Sequence, residues 1–212
     1  MKGEASCPKC GGRVRAPGLF SDAWECEAHG AVHPLQPALP PSVEALRAVV
    51  GRAHVPVWMP WPLPVGWLFT GVAAAGDDRS GGRAVVVACS GPGPLGGPGE
   101  LLLVAEELGE GLGAHYAGID GPDPGPLLRT DEALRAKVVA GGHPTPLWRV
   151  QDTPADRAVF AGEADGLWLW AVTWPQEAGL LLYDDLVLTD VRSVGAEVDL
   201  VPCGALCPRL LG

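Results

Sequence analysis

Runs of apolar residues bounded by turn residues indicate most of the strands in this chain. They predict strands at 67–75, 83–89, 100–106, 157–162, 167–174 and 197–201. The Asp-Asp-Arg-Ser-Gly-Gly sequence at 77–82 is typical of a hairpin turn between the first two strands. Residues 167–174 carry large apolar side chains at both odd and even positions, which indicates a central strand covered on both faces.

Helical spacing of apolar residues is confined to short segments. Ser42 is a suitable N-cap and the apolar residues after it share one face, which predicts a helix over about 42–51. Residues 108–116 predict a second short helix weakened by glycine, and four apolar residues at helical spacing predict a third over 185–194. Because helices and strands alternate without regular βαβ units, the predicted fold class is α+β with a mainly antiparallel sheet.

A proline-rich segment divides the chain and indicates its domain organisation. Residues 34–41 hold four prolines in eight positions, which is typical of a stiff, extended spacer. We therefore predict a small N-terminal unit at 1–33, a proline-rich linker at 34–41 and an α+β domain at 42–212. Hydrophobic residues make up 47% of the 212 residues, which is enough to build a core in that domain.

The charge balance narrows the classes of partner. The net charge of −10 disfavours binding to nucleic acid and to anionic lipid, because both are polyanions. There is no run of 18 apolar residues, so no membrane-spanning helix is expected. The first residues lack the apolar stretch of a secretory signal. A cytoplasmic, reducing location is therefore predicted, where cysteines act as thiolate ligands rather than in disulfides.

The strongest chemical pattern consists of two similar turns near the N-terminus. Cys7-Pro-Lys-Cys10 and Cys26-Glu-Ala-His29 are each followed by glycine, and fifteen residues separate the two pairs. Glycine after the second ligand allows the positive φ that such a turn requires. Three cysteines and one histidine fill all four positions of a tetrahedral zinc ion. We predict a structural zinc held by Cys7, Cys10, Cys26 and His29, which makes 1–33 a zinc ribbon. The ion supplies folding energy to a segment too small for its own core.

Two further questions about metal ligands arise from the sequence. His33 could replace His29 as the fourth ligand, although it breaks the matched spacing of the two pairs. Cys203 and Cys207 are separated by three residues with no second pair nearby, which disfavours another metal site there. Basic residues in the ribbon are offset by acidic ones, so the ribbon has little affinity for phosphate backbones.

A glycine motif after the strand at 83–89 has the sequence spacing of a dinucleotide-binding loop but not the predicted secondary structure around it. Gly91, Gly93 and Gly96 have the Gly-x-Gly-x-x-Gly spacing. Such a site needs a helix that begins at the glycines and donates backbone amides to pyrophosphate. The prolines within 92–98 remove amide donors, and a strand pattern follows at 101–104. Nucleotide binding is therefore disfavoured and a surface loop is favoured.

Groups that could carry catalysis are sparse. The chain has no Gly-x-Ser-x-Gly elbow, and Cys89 fits a buried cysteine better than a nucleophile paired with His115. A pocket that gathers His115, His143, Arg79 or Arg83 would indicate an enzyme. Three acidic pairs fit surface turns or element ends better than a catalytic dyad: Asp77-Asp78, Glu106-Glu107 and Asp184-Asp185.

Tryptophans and prolines alternate in a stretch that suits either a core or a binding surface. Residues 55–67 contain four prolines, which exclude a helix and a central strand, together with Trp58, Trp61 and Trp67. These rings could stack on a peptide or ligand. We favour the interpretation that they cover an edge of the sheet.

Several strings in the chain resemble an uncharacterised family of actinomycete proteins, some of which carry a phosphotransacetylase label. The resemblance covers essentially the whole chain and lies in the strings Cys-Pro-Lys-Cys-Gly-Gly-Arg-Val-Arg-Ala-Pro-Gly at 7–18, Val-Pro-Val-Trp-Met-Pro-Trp-Pro-Leu-Pro-Val-Gly-Trp at 55–67, Ser-Gly-Pro-Gly-Pro-Leu-Gly at 90–96 and Leu-Val-Pro-Cys-Gly-Ala-Leu-Cys-Pro-Arg-Leu at 200–210. The resemblance implies a bacterial cytoplasmic protein and adds no site beyond the ribbon.

The leading hypothesis is a non-enzymatic protein that binds a protein or a small ligand. The alternative is a small-molecule enzyme of acyl or phosphoryl transfer.

Overall fold

The structure consists of two sheets that differ greatly in size. It is a computed structural model that describes residues 4–19, 21–128, 135–184 and 186–211. The small antiparallel sheet contains β1 (Val14–Arg15), β2 (Trp24–Cys26) and β3 (Gly30–Val32). We call the described residues from 4 to 33 the ribbon.

The larger sheet has nine strands among the described residues. They are β4 (Trp58–Pro60), β5 (Leu68–Asp77), β6 (Gly81–Pro92), β7 (Pro98–Glu106), β8 (Arg135–Ala140), β9 (His143–Arg149), β10 (Ala158–Ala164), β11 (Leu167–Trp174) and β12 (Val187–Asp190). Their order is β4-β12-β8-β9-β10-β11-β7-β6-β5. Neighbours pair antiparallel, except that β12 and β8 run parallel. The predicted α+β class with a mainly antiparallel sheet is confirmed.

Helices are few and short. Among the described residues, the α-helices are α1 (Val43–Val50) and α2 (Leu112–Ala117). The 3₁₀ helices in the same part of the chain are Gly125–Leu127, Gln176–Tyr183, Val191–Ser193, Gly195–Leu200 and Pro208–Leu211. Ser42 caps α1 as predicted, because its hydroxyl accepts from the amide of Ala45 at 3.0 Å. Within the described part of the chain, no helix is long and apolar enough to cross a membrane.

Both faces of the central strands are buried, which explains their continuous apolar sequences. In β7, Leu101 and Leu103 belong to one core, which the curled sheet shares with α1 and the 3₁₀ helices. Leu102 and Val104 face a second core, which contains residues of α2 and of the C-terminal segment. Alternation with period two thus sends neighbouring residues to two different cores.

The outer edge of β5 is covered by the segment 34–41 and by a segment near the C-terminus. The amides of Gln36 and Leu39 donate to the carbonyls of Ala74 (2.9 Å) and Val72 (3.0 Å). Residues 202–207 bond to the other end of the same strand. The proline-rich segment 34–41, which was predicted as a stiff, extended spacer, thus lies along the sheet and protects its edge. The domain boundaries at 33/34 and 41/42 stay predictions.

Two predicted elements near the C-terminus are wrong. Within 185–194, where a helix was predicted, β12 lies between β4 and β8 and is followed by the 3₁₀ helix Val191–Ser193. Asp185 lies outside the described residues. The strand predicted at 197–201 is mostly the 3₁₀ helix Gly195–Leu200. Pairing with two distant strands outweighs the local helical spacing in β12.

Candidate metal centre and its surroundings

Two matching turns of the ribbon present the predicted ligands. Cys7 and Cys10 lie in the turn before β1, and Cys26 and His29 lie at the turn between β2 and β3. The glycines that follow the two pairs, Gly11 and Gly30, both have φ of +68°. This is the left-handed region that glycine adopts without strain, as expected from the repeated Cys-x-x-ligand-Gly pattern.

The four side chains converge on one point. The Nδ1 atom of His29 lies 3.6 Å from the sulfur of Cys7 and 3.6 Å from that of Cys26. The sulfurs of Cys10 and Cys26 are 3.9 Å apart. All four donor atoms lie within 4.8 Å of one another, so the group is close enough to hold one metal ion.

The two buried thiols of this group, those of Cys7 and Cys26, differ strongly in pKa. Burial raises the pKa of Cys7 to about 12, although the amides of Lys9 and Cys10 donate to its sulfur. Burial also raises the pKa of Cys26, but hydrogen bonds from the His29 ring and the amides of Ala28 and His29 outweigh it and leave that pKa at about 6. Because metal ligands are thiolates, binding a metal must expel the proton of Cys7.

His33, the alternative fourth ligand, points to a different partner. Its Nδ1 atom lies 2.8 Å from a carboxylate oxygen of Glu110, whose side chain is only 10% exposed. The geometry therefore favours His29 over His33 as the member of the cluster. No pattern in the sequence indicates Glu110, which lies 77 residues away along the chain.

The ribbon docks on α2 and on the turn between β5 and β6. A Cβ atom on Gly11 would lie 3.3 Å from Cε1 of His115, and one on Gly111 would lie 3.0 Å from Cγ of Lys9. The indole nitrogen of Trp24 donates to Asp77 at 3.1 Å. The turn that carries Cys7 and Cys10 thus packs against α2, and the small sheet is tied to the large one.

A fully buried carboxyl group lies at the N-terminus of α2. Glu106 accepts from the amide of Leu112 at 2.7 Å and from that of Gly113 at 3.2 Å. It replaces a side-chain cap, because the N-cap residue is Gly111. A Cβ atom on Gly113 would lie 2.3 Å from the indole of Trp170, so glycine lets α2 pack directly on β11. Burial raises the pKa of Glu106 to about 8, against the effect of the two amides.

Comparison with known proteins identifies the family of this chain. A family model described as "Family of unknown function (DUF6758)" matches residues 1–210. The chain belongs to this family. Searches of curated proteins and of solved structures gave no significant match. Membership of DUF6758 agrees with the predicted resemblance to an uncharacterised family, while the actinomycete origin and the phosphotransacetylase label stay predictions.

The candidate catalytic residues of the DUF6758 chain do not come together. Cys89 is buried in the first core, where burial strongly raises its thiol pKa, whereas the helix of His115 packs on the second core. His143 is exposed at the start of β9. Arg83 donates to the carboxylate of Glu107 at 2.8 Å. Arg79 lines a cavity whose walls include neither of these histidines.

The glycine motif of the DUF6758 chain forms a hairpin turn. The amide of Gly93 donates to Gly97 (2.8 Å) and that of Gly96 donates to Gly93 (3.0 Å). The turn joins β6 directly to β7, so no helix N-terminus follows the glycines. The predicted surface loop is confirmed, and the geometry lacks the feature that binds pyrophosphate.

The remaining cysteines form no further metal cluster among the described residues. Cys207 is buried and its thiol donates to Glu100 at 3.4 Å. Burial raises its pKa to about 11. Cys203 is exposed and donates to a backbone carbonyl. Both lie in the C-terminal segment that covers the edge of β5.

The tryptophan-rich stretch divides between core and surface. Trp58 and Trp67 are each 3% exposed and belong to the first core, so these two rings are part of the core. Trp61 is half-buried and lines an open cleft of about 490 Å³. Val65, which is 96% exposed, and Leu200, which is 81% exposed, also line this cleft. We call it the Trp61 cleft.

Proposed function

We propose that this chain binds one structural zinc ion through Cys7, Cys10, Cys26 and His29 and acts as a binding module. The spacing of the donor atoms carries the proposal. Zinc–sulfur bonds of about 2.3 Å and a zinc–nitrogen bond of about 2.0 Å place tetrahedral ligands about 3.8 Å (S–S) and about 3.5 Å (S–N) apart. The observed separations are 3.9 Å and 3.6 Å.

The chemistry of the donor set supports a structural rather than a catalytic metal. Four protein ligands fill the tetrahedron and leave no position for water or substrate. Three thiolates favour zinc over magnesium or calcium, which prefer oxygen ligands. All six cysteines are free, although the sulfurs of Cys10 and Cys26 lie close together. Free thiols in this arrangement are consistent with the reducing, cytoplasmic location that we propose.

The metal would act by fastening the ribbon to the large sheet. The ribbon buries little apolar surface of its own, because its strands have only two or three residues each. The ribbon contacts the rest of the chain at His115, Glu110 and Asp77. A bound zinc ion would supply the cross-link that fixes the two ligand turns.

A binding role fits the surface of the rest of the chain. The Trp61 cleft exposes apolar side chains, which is typical of sites that meet a protein partner. A second cavity, of about 340 Å³, lies at the junction of the ribbon and the sheet. The proposal excludes nucleic acid because of the net charge of −10. Acyl or phosphoryl transfer is less well supported, because the candidate catalytic residues lie on separate elements.

Separate replacement of two histidines tests the ligand set. We expect His29→Ala to lower zinc affinity by more than about 100-fold, because it removes a direct ligand and outer partners alone contribute about 10- to 100-fold. The matched variant His33→Ala is expected to keep one zinc per chain. Zinc content by mass spectrometry and competition with a chelator measure both. Wild-type affinity in His29→Ala with a loss in His33→Ala would contradict the assignment.

A further inference from the structure

The Trp61 cleft lies between two segments that the fold holds in place. One wall is the tryptophan- and proline-rich segment 61–67, and the other is formed by residues of 197–202. The amide of Trp61 donates to the carbonyl of Val187 in β12 at 3.0 Å, and the carbonyl of Pro202 accepts from an amide of β5 at 2.9 Å. Backbone bonds thus anchor both walls to the large sheet, so the cleft is preformed.

The cleft gathers two of the most exposed large apolar residues that the structure describes. Val65 is 96% exposed and Leu200 is 81% exposed, and among the described residues only Leu19 exceeds the second of these values as well as the first. Pro62 and Pro202 are exposed beside them. Apolar side chains that stand free together mark a surface that meets a partner.

Trp61 brings a hydrogen-bond donor to this apolar surface. Its half-buried ring packs against the first core, which fixes its position. Among the described residues its indole N–H has no acceptor, and it is not one of the buried nitrogens without a partner, so it reaches solvent. The indole of Trp67, by contrast, donates to the carbonyl of Pro92 at 3.2 Å. The cleft therefore offers a flat ring with one free donor.

The cleft also carries an unpaired negative charge. Within the described part of its wall, Glu197 is the only charged residue, and it is exposed and forms no ion pair. The carboxylate of Asp199, two residues further on, is paired with Arg47 at 2.8 Å. A basic group of a partner would thus find a free carboxylate at Glu197, in a chain whose net charge of −10 attracts it.

A proline-rich segment fits these features better than other partners do. In the polyproline II conformation it has no internal hydrogen bonds, so its carbonyls are free to accept from an indole N–H. Its proline rings pack into grooves that are lined by aromatic side chains. The carbonyls of an α-helix are bonded within the helix and cannot use that donor. A second copy of this chain is disfavoured, because both copies carry the same large negative charge.

We propose that the Trp61 cleft binds a proline-rich segment of another protein, in polyproline II conformation and with a basic residue beside the prolines. The proline rings pack on Trp61 and Leu200, one carbonyl accepts from the indole N–H, and the basic residue pairs with Glu197. The inference rests on the binding role proposed above and names the class of partner for it. It is separable from the metal, because none of the described residues of the ribbon lines the cleft.

Three synthetic peptides, added to the zinc-loaded full chain, separate the effect of shape from that of charge. The first has six prolines between two arginines. The second replaces the prolines by alternating glycine and serine, and the third replaces the arginines by glutamates. At about 0.15 M salt, which screens long-range attraction, we expect a saturable shift of the Trp61 indole N–H resonance with the first peptide. The third should bind more weakly, and the second should not bind. Absence of this resonance from the Trp61→Phe variant assigns it.

Two pairs of variants assign the binding to the cleft. Leu200→Ser is expected to weaken binding of the arginine–proline peptide about tenfold, because an apolar contact is lost. Leu108→Ser, which changes a 70% exposed leucine outside the cleft, should leave the affinity unchanged. Glu197→Gln is expected to weaken binding about two- to fivefold, as is typical of an exposed ion pair. Glu177→Gln is its control, since Glu177 is also exposed and lies in a different 3₁₀ helix.

Three results would overturn the inference. The first is the absence of a saturable shift with the arginine–proline peptide. The second is equal binding of the glycine–serine peptide, which would reduce the effect to charge. The third is an equal loss of affinity in Leu200→Ser and Leu108→Ser. Sedimentation of the free chain tests the other occupant: a dimer that Leu200→Ser dissociates, and that the peptide leaves intact, would assign the cleft to a second copy.

Zinc content, measured on every sample, keeps this test apart from that of the metal. A chain that holds one zinc ion but binds no proline-rich peptide refutes the cleft assignment alone. A chain that binds the peptide but holds no zinc refutes the metal assignment and leaves the cleft assignment standing.

Discussion

A Cys26→Ser variant is expected to lose zinc and to unfold the ribbon while the nine-stranded sheet stays folded. The sulfur of Cys26 lies 3.9 Å from that of Cys10 and 3.6 Å from Nδ1 of His29, so it joins ligands of both turns. Structural zinc contributes about 10 kcal/mol or more to small zinc folds. The short strands of the ribbon cannot replace that contribution. The large sheet has its own cores and depends little on the metal.

Amide NMR spectra resolve the two parts of this prediction. Resonances of the ribbon should collapse to the values of an unfolded chain, and those of 109–116 should shift because the ribbon packs there. Resonances of β6, β7 and β11 should stay dispersed. Cys203→Ser is the matched control, because Cys203 is an exposed cysteine outside the cluster. A folded, zinc-loaded ribbon in Cys26→Ser would contradict the prediction.

Replacing Glu106 by Gln is expected to remove a pH dependence of unfolding that the native chain shows between about pH 5 and pH 8. Burial raises the pKa of this carboxyl from 4.5 to about 8. The folded state therefore holds the proton more tightly than the unfolded chain. Its contribution to stability is complete below about pH 4.5 and is lost as the pH rises through about 8. The loss amounts to about 3–5 kcal/mol, because each pH unit between the two pKa values corresponds to about 1.4 kcal/mol.

Denaturant unfolding at pH 5.5 and pH 8.5, with zinc in excess, measures this effect. The free energy of unfolding of the wild type minus that of Glu106→Gln should fall by several kcal/mol between the two conditions. Effects of zinc and of other groups are common to both proteins and cancel in the difference. Glu107→Gln serves as control, since its half-exposed carboxyl pairs with Arg83 at the surface. Parallel pH profiles of wild type and Glu106→Gln would refute the role of the buried carboxyl.

The metal cluster could be predicted from sequence because its signal is local. Each ligand pair spans four residues, and the glycine after each pair specifies the backbone of its turn. The contacts that dock the ribbon are not local. His33 and Glu110 are 77 residues apart, and Trp24 and Asp77 are 53 residues apart. Neither pairing leaves a pattern in a single sequence, so the docking of the ribbon on the large sheet could not be foreseen.

The buried carboxyl shows a similar limit. Glu106 and Glu107 were both interpreted as residues at a surface turn or element end. Glu106 does end β7, but it is fully buried beneath α2, while Glu107 reaches Arg83 at the surface. Two identical neighbours thus have opposite environments. The difference arises from the placement of α2, which the sequence indicates only weakly.

Strands with long apolar runs were predicted, whereas strands that are short or interrupted by proline were missed. The strands β5, β6, β7, β10 and β11 were all expected, because their apolar runs are long. Strands β4, β8 and β9 were missed, and β9 contains Pro144 and Pro146. It pairs with β10 only through Trp148 and Arg149, so the prolines lie where one neighbour is lacking. Local sequence gives no sign of that arrangement.

X-ray absorption at the zinc edge of the purified full chain tests the central claim most directly. The account predicts one zinc ion per chain, with three sulfur atoms at about 2.3 Å and one nitrogen atom at about 2.0 Å. That shell corresponds to Cys7, Cys10, Cys26 and His29. A shell dominated by oxygen and nitrogen, or a folded ribbon in a chain that holds no zinc, would contradict it.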